Sequence, residues 1–596
     1  MKDLLEPCKL YFDNLKTKVE EEAASFFDDL VKKSKMNVEE NKIASTKYEQ
    51  EVELLNSAKK QIKKYKTIEV LFIILNIVFG LTRTIFLIQQ ILNKFNALFV
   101  FIPVYVVLLG LSIFLSIYLS KTNRNNLISL KKQENQHLSL SNKLLDECNN
   151  LIKPLLSLFD SSDPDVIFQK ITPLIQLDSV FDKEKLAYID HLTNCGVENT
   201  NNKSSLVYIK SGSLNDNPFI ILKFLNHYMG TKTYFGSKVV SYTVTYTDSE
   251  GRTRTTTRVE TLTASVTKPY PEYYYSENLH YASNIASNLS FTRRPFYINK
   301  IEEEKKYTKF IEKSMKQILK DNKNSKTFTE LNNDEFEVLF HATNRDNEQE
   351  FRLLFTPLGQ QAMVSLIKDS PFGDDFTYTK EKKLNTIFAS HSLLSDRSCQ
   401  PSNYYSYSYD ICKEKFINYN TSYFKSIFFE VAPILAIPIF QQYKKERYQY
   451  NPNLYPYNFS RLDHEVIANL FSQDIDTSAT KTIRKTKYIK SINSWDLFDI
   501  ESHGFKEIPR VDMIPRVAGN GKTYLVPVPY KEYIPNVTSH HVAVLKEIDR
   551  DSNLKNKYLS NEVINKYIPY AKTNTYNISN NKVYFIINKY DLKIFN

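Results

Sequence analysis

Asp374 and Asp375 precede an extended run, and His391 follows sixteen residues after Asp375. A carboxylate with an imidazole can serve general acid–base catalysis, and the same atoms can ligate a metal ion. The spacing does not fix their separation in space, and Asp-rich loops after Gly are usually turns. These three are the catalytic candidates. The other motifs break off. His464-Glu465 opens a zinc-protease HExxH, but the second histidine would fall on Ala468. Gly521-Lys522-Thr523 imitates the end of a P-loop, yet Arg516 stands where its first glycine should be. Asn520-Gly521 between two extended runs reads instead as a hairpin turn. His540 and His541 would point to opposite faces of a strand and chelate poorly. Cys8, Cys148, Cys195, Cys399 and Cys412 form no CxxC pair, which excludes a zinc ribbon and a disulfide framework and fits free thiols in a reducing compartment. No metal site and no cofactor is expected.

Charge narrows the partners. The 596 residues carry 78 Lys and Arg against 67 Asp and Glu, a formal charge of +11 with both signs mixed. A dedicated nucleic-acid binder would concentrate its cations, so nucleic acid is not an expected partner. One basic stretch, Lys481, Arg484, Lys485, Lys487 and Lys490, could touch anionic lipid, although a solvated strand face is the commoner explanation. Arg252, Arg254 and Arg258 could bind an anionic partner or decorate an exposed hairpin.

The elements that would position these residues begin with two apolar runs. Residues 97–120 contain no charge, and a membrane span needs about 20 such residues. Residues 70–92 are apolar but for Asn76, Arg83, Gln89 and Gln90; Arg83 would face the second helix or snorkel. A four-residue connection predicts a helical hairpin. Lysines before the first run, and Lys121, Arg124, Lys131 and Lys132 after the second, place both flanks inside by the positive-inside rule. The expectation is a two-span cell-membrane protein with cytoplasmic N- and C-termini, anchored in the lipid bilayer by this hairpin.

Residues 1–66 and 121–195 read as helical arms, the former with Tyr48, Val52, Leu55 and Ile62 in one stripe. Side by side they would form an antiparallel coiled-coil stalk, through which the chain could form a homo-oligomer. A helical stretch is expected over 165–192. Residues 206–596 form the body, divisible at 415/416. Residues 238–268 alternate Val and Tyr with Thr about a turn ending in Gly251, a clear β-hairpin that Pro269 and Pro271 should end. Residues 335–340 and 351–355 look like strands, and Thr356-Pro357 opens a helix. Residues 427–440, IFFEVAPILAIPIF, are too short to span and read as a buried segment, with a membrane-dipping loop as the other reading. The predicted fold class is thus a membrane protein, an N-terminal helical hairpin followed by a mixed α+β body.

From Glu335 to Ser390 the chain reads EFEVLFHATNRDNEQEFRLLFTPLGQQAMVSLI…DDFTYTKEKKLNTIFAS. This resembles an uncharacterised bacterial family of membrane-anchored proteins, with two N-terminal spans and a cytoplasmic module built on an EFE-x-LF…R-x-L-x-TP core. The hairpin from Tyr234 to Pro271 and the APILAIP run are similar to versions in mycoplasma-type bacteria. The resemblance implies the anchor-plus-module arrangement and supplies no catalytic residues. The leading expectation is a non-enzymatic binding or scaffold protein for an unknown protein partner. The alternatives are a membrane-tethered hydrolase using the carboxylates and His391, and a peripheral lipid-handling protein using residues 427–440.

Overall fold

Apolar residues that recur every three or four positions build the longer helices of the N-terminal quarter, α1 (Lys16–Ser34), α2 (Val38–Leu92) and α3 (Leu98–Leu156), after two short helical turns at Pro7–Leu10 and Tyr11–Leu15. The computed structural model describes residues 6–92, 98–178, 185–186, 188–189, 202–247, 249–295, 304–443, 464–466, 468–469, 478–492, 495–545, 577–579 and 582–587; side chains of 72–73 and 75–120 lie outside the description. Residues 23–160 and 401–419 form one compact unit. In it α2, 55 residues and about 80 Å long, runs antiparallel to α3. Three side-chain contacts pin the register. Asn41 donates to the Cys148 carbonyl at 3.3 Å, Glu51 pairs with His137 at 2.5 Å, and Asn123 donates to the Tyr65 carbonyl at 3.2 Å. Between them Leu55, Ala58 and Ile62 on α2, and Leu127 and Leu130 on α3, are buried. Phe27, Phe159, Tyr404 and Phe416 form an aromatic cluster in the same unit.

The two-span assignment is corrected here. Among the described residues, no helix is long and apolar enough to cross a membrane. A span must be apolar on every face, whereas a helix that packs on a neighbour needs only a stripe. The described parts of α2 and α3 show such a stripe, with Lys59, Lys60, Lys63 and Lys64 turned to solvent. Over these parts the two helices pack on each other. The membrane fold class and the two-span cell-membrane localisation fall with the spans. Arg83 and Asn76 lie on helical backbone whose side chains are outside the described residues.

The second unit comprises residues 1–22, 161–400 and 420–596 and is α+β. Its larger sheet is antiparallel throughout, in the order β1-β2-β3-β4-β7-β6-β5: β1 (Ile175–Leu177), β2 (Ser204–Leu214), β3 (Asn217–Thr247), β4 (Thr253–Ala282), β5 (Ser290–Arg293), β6 (Phe376–Glu381) and β7 (Leu384–Ala389). The smaller, also antiparallel, runs β11-β12-β10-β9-β8: β8 (Ile483–Ile492), β9 (Trp495–Val517), β10 (Thr523–Leu545), β11 (Asn577–Ser579) and β12 (Lys582–Ile587). The first hairpin is far longer than 238–268, because β3 and β4 pair from Phe219↔Tyr281 out to Thr247↔Thr253. Pro269 and Pro271 do not end it. They oppose Thr231 and Met229 where β4 has no second neighbour, the position at which a strand tolerates proline.

Helices fill the rest: α4 (Asp163–Ile171), α5 (Glu304–Asp321), α6 (Asp334–Phe340), α7 (Glu348–Leu354), α8 (Pro357–Asp369), α9 (Ser390–Leu394), α10 (Tyr409–Leu435) and α11 (Pro438–Gln442). The helix expected over 165–192 stops at Ile171, and β1 follows. The strands expected at 335–340 and 351–355 are the helices α6 and α7. Asn333 and Asn347 cap them, their side chains accepting from the Phe336 and Glu350 N–H groups at 3.1 Å each. Short apolar runs of this length fit strand or helix alike, and the asparagine caps decide for helix. Thr356 caps α8 in the same way.

Candidate functional site

The catalytic candidates are partly brought together. His391, at the start of α9, holds Asp375 through Nδ1 at 2.7 Å, while its Nε2 lies 3.1 Å from the Ser426 carbonyl. Phe372 stacks on the ring at 4.0 Å. Both ring nitrogens thus face protein acceptors, a carboxylate and a backbone carbonyl, and the ring is held in packing. Asp374 turns away to the fully buried Arg293. Both carboxylates are thus tied into packing. Among the described residues no group of three His, Cys, Asp or Glu side chains is placed to hold a metal ion.

The basic stretch does not form one face. On β8, Arg484 is buried beside Asn469, and Lys485 pairs with Glu465 at 3.3 Å. Lys481 lies over the Tyr275 ring, Lys487 is exposed and Lys490 is half-buried. His464-Glu465 is structural. Glu465 accepts from the Leu206 N–H at 2.6 Å, and His464 packs on Phe498. Asn520-Gly521 is the turn between β9 and β10, with Gly521 at φ +77°. Residues 427–440 are buried almost throughout, on α10 and α11.

That run hides the least expected feature of the unit. Glu430 is fully buried among Phe428, Phe429 and Val431. Arg397, from the segment after α9, reaches it and the equally buried Glu277 on β4. Arg397 also donates to Ser426 Oγ, and Lys223 on β3 pairs with Glu277 at 3.1 Å. Nearby, Asp165 on α4 binds Lys210 on β2 and accepts from the Tyr423 hydroxyl at 2.7 Å. A cleft of about 460 Å³ opens against this network, walled by Tyr208, Lys210, Lys223, Arg397 and the 393–399 segment. Cys399 there holds φ +52°, which non-glycine residues rarely adopt. No spacing rule links residues 165, 277, 397 and 430. The one available signal was a single glutamate inside an apolar run, which must find a cation if it is buried.

The other feature is a pair of two-stranded ribbons. β3 and β4 have 31 and 30 residues, β9 and β10 have 23 each, and the first ribbon is about 100 Å long. Val240, Leu262 and Ala264 of one pack on Ala518, Val526 and Val528 of the other. Gly236 permits the close approach: a Cβ there would lie 2.0 Å from the Pro527 carbonyl oxygen. Lys268–Asp512 at 2.6 Å and Glu260, which accepts from the Gly519 N–H, fix the alignment. The outer faces are bare, with Phe235 75%, Val259 68% and Val517 64% exposed.

Their edges differ. Among the described residues, β3 beyond His227 and β4 between Thr253 and Asn278 have no strand neighbour but each other. Residues 219–268 contain no proline, whereas β9 and β10 carry Pro509, Pro515, Pro527, Pro529 and Pro535. No family model, no curated protein and no solved structure matches this chain.

Proposed function

We propose that the protein is a binding or scaffold protein that holds a partner polypeptide as an added strand along the β3–β4 ribbon. The observation that carries this is the contrast between the two ribbons. An open strand edge is a liability that proteins blunt with proline, short strands or bulges. Five prolines blunt β9 and β10, while the outer part of the β3–β4 ribbon, up to Lys268, keeps a proline-free Thr-, Val- and Tyr-rich edge and meets Pro269 and Pro271 only at its base. An edge left open on a well-specified element suits strand addition, in which main-chain hydrogen bonds supply affinity.

Charge selects the partner. Residues 230–270 carry six cations, Lys232, Lys238, Arg252, Arg254, Arg258 and Lys268, against Asp248, Glu250 and Glu260. Two copies of this ribbon repel each other, and an acidic segment is attracted. The occupant is therefore an extended acidic segment of another protein.

A synthetic peptide alternating Val or Thr with Glu tests the reading by fluorescence anisotropy. Binding should weaken with salt and fall about tenfold, roughly 1.4 kcal/mol, in Arg254→Glu. Adjacent residues turn their N–H groups to opposite sides of a strand. One of Thr256→Pro and Thr257→Pro therefore blocks the edge and abolishes binding, while the other breaks the ladder and lowers Tm. Equal binding by the wild type and both proline variants, or preference for a Lys-containing peptide, would sink the idea.

A further inference from the structure

The cleft beside Arg397 has a size, about 460 Å³, that falls within the range of small-molecule sites, roughly 300–1,000 Å³. Three groups on its wall have hydrogen-bonding capacity to spare. Lys210 gives one of its three ammonium hydrogens to Asp165. Arg397 gives Nε–H and one Nη2 hydrogen to Ser426 Oγ and its Nη1 hydrogens to Glu277 and Glu430, which leaves one hydrogen on Nη2. The Tyr208 hydroxyl is shielded from solvent and has no hydrogen-bond partner among the described residues. Lys223, by contrast, is fully engaged by the Ser392 and Leu393 carbonyls and Glu277.

We infer that this cleft binds a small organic oxyanion, a carboxylate or a phosphate monoester, held by Lys210, Arg397 and the Tyr208 hydroxyl. All three have donors left over, and an oxyanion is the group that accepts from several donors at once. Bonds from ammonium and guanidinium to an oxyanion are about twice as strong as neutral ones. With Glu430 ionised the unliganded network is balanced, with Arg397, Lys223 and Lys210 against Glu277, Glu430 and Asp165. A balanced site accepts one modest negative charge and disfavours a polyanion. The Tyr208 hydroxyl is the telling group. Leaving a shielded hydroxyl unpartnered is destabilising, and the ligand removes that cost.

The full chain is titrated with acetate, succinate and glycerol phosphate, each against sodium chloride at matched ionic strength, reading Tm and heat of binding. A saturable rise in Tm with a carboxylate or with the phosphate ester supports the site, and the active arm identifies the headgroup. Tyr208→Phe should keep or raise the ligand-free Tm and weaken binding about tenfold. Lys210→Gln should weaken it as well. The proposal fails if no probe exceeds the chloride control, or if Tyr208→Phe binds as tightly as the wild type.

Discussion

Glu430 shows how burial converts an ordinary side chain into a pH-dependent one. Its pKa is pushed up from 4.5 to about 7, chiefly by burial and further by Glu277, against the opposing pull of Arg397. The unfolded chain releases this proton near 4.5 and the folded protein near 7. Between those values the folded state binds more protons, so stability falls as pH rises. The contribution is complete below pH 4.5 and absent above pH 7. Denaturant titrations from pH 4.5 to 7.5 should show a decline on the order of 2–3 kcal/mol that Glu430→Gln flattens; parallel curves for the two proteins would show that other groups set the slope. Arg345 is the opposite case, a buried cation already satisfied. It binds Glu337 through both Nη atoms and Glu348 through Nε, linking α6 to α7. Glu337 belongs to the EFE motif on which the family resemblance rests, so at least that residue of the motif is a packing residue. Arg345→Ala should leave Glu337 buried without a cation and lower stability by about 3–5 kcal/mol, measured by Tm and chemical denaturation.

Among elements, the ribbons and the long helices were legible to different degrees. The Val and Tyr alternation with Thr identified a hairpin, but its length was not readable, because Pro269 and Pro271 look like terminators until the β3–β4 ladder is seen to continue past them. Gly236→Ala tests that contact. The new methyl group would collide with the Pro527 carbonyl oxygen, so the ribbons must separate, at about 1–3 kcal/mol. Gly251, at φ +77° with open space around it, is the control: Gly251→Ala strains the turn but leaves the ribbon contact intact, so protease sensitivity should rise far more in Gly236→Ala. The helix register is equally exposed to test. Ala58 and Leu130 lie midway between the Glu51–His137 and Tyr65–Asn123 contacts, and both are buried. Ala58→Cys with Leu130→Cys should cross-link on mild oxidation, and Ala58→Cys with Leu138→Cys, two turns away, should not.

For the whole molecule, both compact units are assembled from separated stretches of chain. Residues 401–419 belong with 23–160, whose Phe27 and Phe159 pack on Phe416. The sequence by itself determined what depends on neighbours in the chain: the α+β content, the helical periodicity, the cap at Thr356, the turns at Gly251 and Gly521, and the places where catalytic motifs break off. Each is a local effect, set by backbone sterics, side-chain capping or a strict spacing. Only the tertiary structure decided what depends on distant residues. Hydropathy read residues 70–92 and 97–120 as spans, whereas among the described residues no helix is long and apolar enough to cross a membrane. The Glu277–Arg397–Glu430 network joins residues far apart in the chain, and the outer edge of β3 beyond His227 is open because no described strand pairs with it there. Burial and ion pairing act through space, and no spacing along the chain encodes them.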